Sequence, residues 1–362
     1  MQGLLNGRGS DVHAVAAALG AAALFGASMP FAKALVADVH PVVLAALLYL
    51  GSGFGLLALR AGVWLRPGGS GLARRDWPWL GGAIAFGGVL GPVLLMLGLA
   101  RTSAASASLL LNLEAVLTAL IAWIVFRENA GRRIVLGMAL IVAGGIALAW
   151  PSETGGAADL PGAVLVAGAC LCWAIDNNLT RKVSGGDATF VAGAKGLVAG
   201  AVNLAIGLAL GGRVPAPELA AVAGAVGLLG YGVSLVLFVI ALRGLGTART
   251  GAYFSTAPFI GAAVAIGAFA EPTSAAFWLA AALMAAGVWL HLTERHEHAH
   301  IHESFEHAHP HVHDEHHRHE HEGGWDGREP HTHFHRHAAL AHSHPHYPDL
   351  HHRHEHAREE AR

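Results

Sequence analysis

Ten stretches of about 20 residues, almost free of charge, recur along the first 293 positions of this 362-residue chain. They cover about 13–36, 41–60, 78–99, 103–126, 131–150, 162–184, 188–210, 219–242, 249–270 and 275–293. A helix needs roughly 20 apolar residues to cross about 30 Å of hydrocarbon. Nothing in that medium replaces water for the peptide groups, so a spanning segment must be a helix or part of a closed barrel. Barrel strands alternate apolar with polar residues, whereas these runs are continuous. The sequence therefore predicts an all-α membrane protein with ten transmembrane helices. Composition agrees: 13% of residues are charged and the mean hydropathy is +0.47, against roughly 25% charged in soluble chains. A soluble enzyme is excluded on this pattern, and no enzymatic activity is expected. No basic patch interleaved with aromatics points to nucleic acid. The two cysteines, Cys170 and Cys172, cannot build a disulfide framework.

Histidine divides the chain. Of 26 histidines, only His13 and His40 lie outside the interval from His291 to His356. Residues 1–293 carry 16 Lys and Arg against 11 Asp and Glu, whereas 294–362 carry 7 Arg against 14 Asp and Glu. The near-neutral total describes neither part. The organisation read from this is a cytoplasmic N-terminus over 1–12, a first five-helix repeat over 13–150 and a periplasmic linker over 151–161. A second five-helix repeat over 162–293 and a disordered, His-rich cytoplasmic tail over 294–362 complete it. The first apolar run is too long for the core of a signal peptide and contains Pro30 and Lys33, so it is kept as a helix.

Loop charges set the orientation. With the N-terminus inside, the inner segments hold twelve Lys and Arg and the outer ones three, Lys33, Arg101 and Arg213. Positive residues favour the cytoplasmic side. Ten spans then bring the tail back to the cytoplasm. The location read from this is a bacterial-type inner membrane. The stretch Arg60–Trp79 mixes Trp64, Leu65, Trp77 and Trp79 with arginine, as an interfacial segment does.

The apolar part repeats itself at an offset of 143 residues, which relates Phe126 to Phe269, Glu128 to Glu271 and Gly144 to Gly287. Each half has five spans. An odd number turns the second half upside down relative to the first, the plan of many secondary transporters. The run from Thr102 to Leu120, with Asn112 and Glu114 at its centre, resembles the fourth helix of the EamA-like branch of the drug/metabolite transporter superfamily. The run Gly251-Ala-Tyr-Phe-Ser-Thr-Ala-Pro-Phe-Ile-Gly resembles the ninth. The resemblance covers residues 13–293. It implies ten helices in two inverted halves and a secondary transporter, often an exporter of amino acids or other small metabolites. The family pattern places proline after the mid-helix glutamate, where this chain has Ala115. The second half keeps Pro258 but has Ala257 at the acidic position.

Ionisable residues in a span cost about 2.5–3.5 kcal/mol at mid-membrane and mark pathways. Glu114, with Asn112 and Ser108 on the same run, is the candidate proton carrier. Its structural alternative is a neutral carboxyl bonded to another helix. Asp176 and Lys195 lie at similar depth on successive spans, about 10–12 Å in at 1.5 Å per residue. They form either a static ion pair or a cavity wall for a zwitterion or carboxylate. Asn177 and Asn178 favour the wall. Pro30, Pro92 and Pro258 free backbone carbonyls or simply kink helices. Trp173, Tyr231 and Tyr253 line the path or pack. Glu128 and Glu271, at helix ends, mark the fold and cap or bridge to arginine.

The tail alternates histidine with other residues: His296, His298, His300 and His302, then His307, His309, His311 and His313, then His331, His333, His335 and His337. Neutral imidazole binds Zn, Ni, Co and Cu ions. In an extended chain alternate histidines share one side. Too few apolar residues remain to pay for a packed core. The expected function is thus a proton-coupled exporter of small polar metabolites with a metal-binding tail. The alternatives are a divalent-metal exporter (Ni, Co or Zn) and a membrane-anchored metal buffer or sensor. No cofactor is required; the expected partners are the lipid bilayer, a small-molecule substrate and divalent metal ions. Nothing in the sequence argues for or against an oligomer.

Overall fold

The computed structural model describes the chain except for residues 1, 64–71, 73, 127–131, 151–159, 181–187, 294–296, 303–304, 312–330, 338–339 and 346–362. It divides into two units, Met1–Thr293 and Glu294–Arg362.

The first unit is helical. The helices are α1 Gln2–Leu35, α2 Pro41–Val63, α3 Trp77–Ala83, α4 Gly91–Arg101, α5 Ala104–Leu110, α6 Leu113–Phe126 and α7 Arg132–Ala149. Then follow α8 Leu160–Thr180, α9 Ala188–Ala209, α10 Pro217–Gly227, α11 Ser234–Phe254, α12 Ala257–Phe269 and α13 Ala275–Leu292. Among the described residues, nine helical segments are long and apolar enough to cross a bilayer, and α12 is a shorter apolar helix. The predicted spans are there, with three differences.

The third and eighth spans each contain a wide π-helical turn, Ile84–Leu90 between α3 and α4 and Leu228–Val233 between α10 and α11. The fourth span is not one helix. It breaks at Leu111 and Asn112, between α5 and α6. The ninth breaks at Ser255 and Thr256, between α11 and α12. The gap expected near 243–248 is instead helical backbone inside α11. Both π turns and both breaks recur at offsets of 143 to 144 residues, so each half repeats the other's irregularities.

Packing shows the same symmetry. Helix α4 packs on α8 as α11 packs on α1, and α6 packs on α8 as α12 packs on α1. Helices α2 and α9 pair across the middle, as do α7 with α13 and α5 with α12. Gly53 and Gly196, related by the repeat, face each other: a Cβ on Gly196 would lie 2.9 Å from the Cα of Gly53. Equivalent residues can touch only where the two-fold axis passes, so α2 and α9 cross on it. Backbone contact this close requires glycine, the way small residues bring helices together in lipid. Exposed Ile124, Val125, Ile146, Trp150, Trp278 and Trp289 form part of the outer apolar surface, where lipid and not water is the solvent.

In the second unit the described segments are four strands, β1 Glu297–His302, β2 Phe305–His311, β3 His331–His337 and β4 Leu340–Pro345. β1 pairs antiparallel with β4, and β2 with β3. The sequence of this unit is poor in apolar residues, which is the ground for expecting no packed core there. His296 and His313 lie outside the described residues, as do Glu128, Trp64, Leu65 and most of the 151–161 linker.

Candidate functional site

The π turn of the third span is the centre of the polar cluster. A π turn bonds each N–H one residue further back than an α-helix does, as Gly91 N–H does to Phe86 O. Such turns are frequent at functional sites. The carbonyl of Gly87 accepts from Tyr49 Oη at 2.8 Å and from Trp173 Nε1 at 3.0 Å. The carbonyl of Gly88 accepts from Asn203 Nδ2 at 3.0 Å. Spans two, six and seven thus hold one π-helical segment of span three.

The two glycines make room for charge. A Cβ at Gly87 would run into the carboxylate of Asp176, and one at Gly88 would lie 2.6 Å from the Cβ of Ala199. Asp176, 6% exposed, is ion-paired to Lys195 Nζ through Oδ2 and accepts from Thr180 Oγ1 through Oδ1 at 3.0 Å. The depth estimate from sequence thus brings the right two residues together. The next residue, Asn177, donates from Nδ2 to Glu114 Oε1 at 2.8 Å. One turn of α8 therefore holds Lys195 of the seventh span and Glu114 of the fourth.

Glu114 lies in the first turn of α6, directly after the break. Asn112, in the break, is buried; its Nδ2 donates to Leu109 O at 2.9 Å and lies 3.9 Å from Met284 Sδ. Helix breaks expose backbone groups at mid-membrane, where transporters bind substrates and coupling ions.

The remaining candidates fall elsewhere. Asn178 bonds its own helix at Ala174 O, 2.8 Å away. Ser108 is fully buried, and its Oγ has no hydrogen-bond partner among the described residues. It lies where α1, α5 and α12 cross closely: a Cβ on Gly261 would sit 2.6 Å from Ser108 Oγ, and one on Gly26 would overlap Ala257 O. Tyr253 packs on a separate small cluster around Ala17, Ala18 and Ala241. Pro258 occupies the first turn of α12. There its missing N–H costs nothing, so it starts a helix and does not kink one. Pro92 follows the π turn inside the continuous helical segment Arg74–Arg101, and Pro30 lies inside α1. Cys170 and Cys172 are free and buried.

Sequence reasoning missed Tyr49, Asn203 and the Gly87–Gly88 turn. A polar residue in each of two apolar runs, with paired glycines in a third, was the available signal. It also undervalued Glu271. Its carboxylate accepts from the N–H groups of Ala104 at 2.9 Å and Ala105 at 2.8 Å. A carboxylate from the second half thus caps the broken fourth helix of the first, satisfying donors a helix start leaves open. Lys33 Nζ donates to Leu99 O at 2.7 Å on the same side.

The model of the EamA-like transporter family matches residues 13–150 and again 160–293. A protein of Methanothermobacter thermautotrophicus described as an uncharacterized transporter is 30% identical over 281 residues, 74% of this chain and 82% of its own length. A crystal structure with 23% sequence identity superposes with a TM-score of 0.57, covering 76% of this chain and 95% of that one. That likeness bears on the fold alone. The two family matches fall on the two structural repeats, and the chain belongs to the EamA-like transporter family, as a multi-pass membrane transporter.

Proposed function

We propose that the protein is a proton-coupled secondary transporter of the cytoplasmic membrane that exports small polar metabolites such as amino acids, with both termini in the cytoplasm. The observation that carries this reading is the single turn of α8 on which Asp176 holds Lys195 and Asn177 holds Glu114. A zwitterion presents a cation and an anion a few ångströms apart. Asp176 and Lys195 offer the complementary pair, each already neutralised by the other until a substrate exchanges partners with both. Glu114 stands one hydrogen bond away, at a helix break, and takes the proton. Protonation removes its charge and its demand for Asn177 as a donor. Substrate and proton then compete for linked groups, which is the requirement for coupled exchange. The tail binds divalent metal ions and serves the cytoplasmic side as a buffer or sensor.

A divalent-metal exporter is the second reading, and the histidine tail favours it. The membrane cluster argues the other way: carboxylate, amide, indole and ammonium groups suit an organic zwitterion, and an ammonium repels a metal cation. Three strains decide between them, expressing the full chain, a version ending at Arg295 or nothing. Tolerance to excess amino acids and to Ni, Co and Zn is compared. The first reading expects both proteins to raise amino-acid tolerance over the empty strain. It fails if neither does and only the full chain raises metal tolerance.

A further inference from the structure

The fourth span is closed in its outer half and open in its inner half. Every residue of α5 is buried. Beyond the break, Glu114 is only half-buried, and Asn177, bonded to it, is exposed. Polar groups within a span face the bundle interior or a water-filled cavity, and exposure selects the cavity. Asn177 lies close to the end of α8 at Thr180, the cytoplasmic end in the proposed orientation.

The outer end is fastened from α1 and α12. The link between α4 and α5, Thr102 and Ser103, is extended. Glu271, just past the end of α12, accepts from Ala104 N–H at 2.9 Å and Ala105 N–H at 2.8 Å on one side of that link. Lys33 of α1 donates to Leu99 O at 2.7 Å on the other side. The two clamping helices meet through Phe31 and Phe269, with ring centroids 5.3 Å apart. Ala270 has left-handed backbone, φ 51°, and Glu271 N–H bonds back to Ala265 O at 3.2 Å. Glycine is the usual residue at such a helix end. Alanine stays there only where the surroundings impose the conformation, and here it aims Glu271 at α5. The other half lacks this arrangement: the counterparts of Thr102–Ala105, residues 245–248, run unbroken inside α11. Three hydroxyls at and below the clamp, Thr102 Oγ1, Ser106 Oγ and Ser108 Oγ, are buried without a hydrogen-bond partner among the described residues. Buried polar atoms are rarely left so, and water entering the outer half of the span would satisfy all three.

We infer that the Glu271 clamp is the outer gate of the transporter, held shut in this conformation while the Glu114 site is open to the cytoplasm. An inverted-repeat transporter exchanges access by moving one half against the other. Glu271 belongs to the second half and α5 to the first, so the clamp must release before a substrate leaves outward. Release hydrates the carboxylate, the two N–H groups it held and the three hydroxyls. Glu271 is a positioning residue, which touches neither substrate nor proton and sets the side on which they are met. This rests on the proposed transport function and orientation and adds the residue that controls the outer side.

The test needs no substrate. Two single cysteines are introduced into the full chain: Ser106→Cys beneath the clamp, and Ile121→Cys, which is half-buried and two turns inward of Glu114 on the same face. A charged, membrane-impermeant maleimide is applied to intact cells and to inverted membrane vesicles. Peptide mass spectrometry reads the adduct at the introduced cysteine, so Cys170 and Cys172 are kept. With Glu271 present, Ile121→Cys is expected to label readily in vesicles and Ser106→Cys hardly at all in cells. Adding Glu271→Ala is expected to raise Ser106→Cys labelling in cells by about tenfold, as a population shift, and to lower Ile121→Cys labelling in vesicles. Glu271→Gln keeps one acceptor and is expected to fall between. Unchanged labelling of Ser106→Cys in both Glu271 variants overturns the gate. So does a rise at both cysteines, the mark of a loosened fold. Ser106→Cys released by Glu271→Ala to reagent in vesicles and not in cells would overturn the proposed orientation and keep the gate. A gate that passes while no amino acid is transported would refute the substrate reading alone.

Discussion

The two π-helical turns occupy equivalent places in the two repeats and are surrounded by different chemistry. At the first, Gly87 and Gly88 lie among Tyr49, Trp173, Asp176, Lys195 and Asn203. At the second, Gly230 approaches Ser28 and Gly232 approaches Ser52, while Ser234 Oγ donates to Ala21 O at 2.9 Å. Ser52 is the repeat counterpart of Lys195. Tyr231 there packs edge-on against Phe25 and tilted against Tyr49, at centroid distances of 5.8 and 5.7 Å. The breaks differ in the same way: Asn112 lies in the first and Glu114 just after it, whereas Ser255 and Ala257 take these places at the second. The skeleton is two-fold and the chemistry is one-sided. Duplication supplies two places in the membrane where backbone can be irregular. Among the described residues, Asp, Glu and Lys side chains gather at the first of them, where each charge in hydrocarbon costs several kcal/mol and must find a partner.

The contrast can be broken one residue at a time. Lys195→Met leaves the buried Asp176 without its partner and is expected to cost about 3–5 kcal/mol, the usual effect of stripping one member of a buried pair. Adding Asp176→Asn should recover most of that loss in a thermal melt in detergent while transport stays absent. Ser52→Ala, the same test at the second turn, is expected to change stability by less than about 1 kcal/mol. Equal losses for Lys195→Met and Ser52→Ala would show that the turns are not chemically distinct.

Gly87→Ala and Gly230→Ala each add one methyl to a crowded turn, an overpacking of about 1–3 kcal/mol. The first displaces the Asp176 carboxylate, the second only Ser28, whose Cβ would lie 2.5 Å from the new methyl. Both are expected to lower the melting temperature, but only Gly87→Ala should change substrate affinity in a binding titration. Glu271→Ala frees the Ala104 and Ala105 N–H groups while Ser103 still caps Ser106, and is expected to cost about 1 kcal/mol, read as a drop in melting temperature. Tyr49→Phe has the smallest expected effect, near 0.6 kcal/mol for one hydrogen bond between membrane helices, since Trp173 still donates to Gly87 O.

The same contrast explains what the sequence revealed. Span lengths were readable because hydrocarbon thickness fixes them. The Asp176–Lys195 pair was readable because rise per residue converts position into depth. The bond between Asn177 and Glu114 was not, because depth says nothing about which way a helix is rotated. The ninth-span break had a signal in Pro258. The fourth had none: Leu111 and Asn112 are unremarkable inside a helix, and Ala115 stands where a proline would have marked the site. The π turns escaped for a related reason, since glycine pairs occur throughout a chain with 47 glycines. Glu271 was placed correctly at a helix end, but the helix it caps lies in the other half, and only three dimensions show that.

The account stands on Glu114 as the group that links proton and substrate. Reconstituted protein on a solid-supported membrane, given concentration jumps of each amino acid in turn, measures that link as a transient current. Wild type should give a current with at least one amino acid, its size and sign following an imposed pH gradient. Glu114→Gln should keep the melting temperature within a few degrees and lose at least nine-tenths of that current. A Glu114→Gln protein with a wild-type, pH-gradient-dependent current would contradict the account.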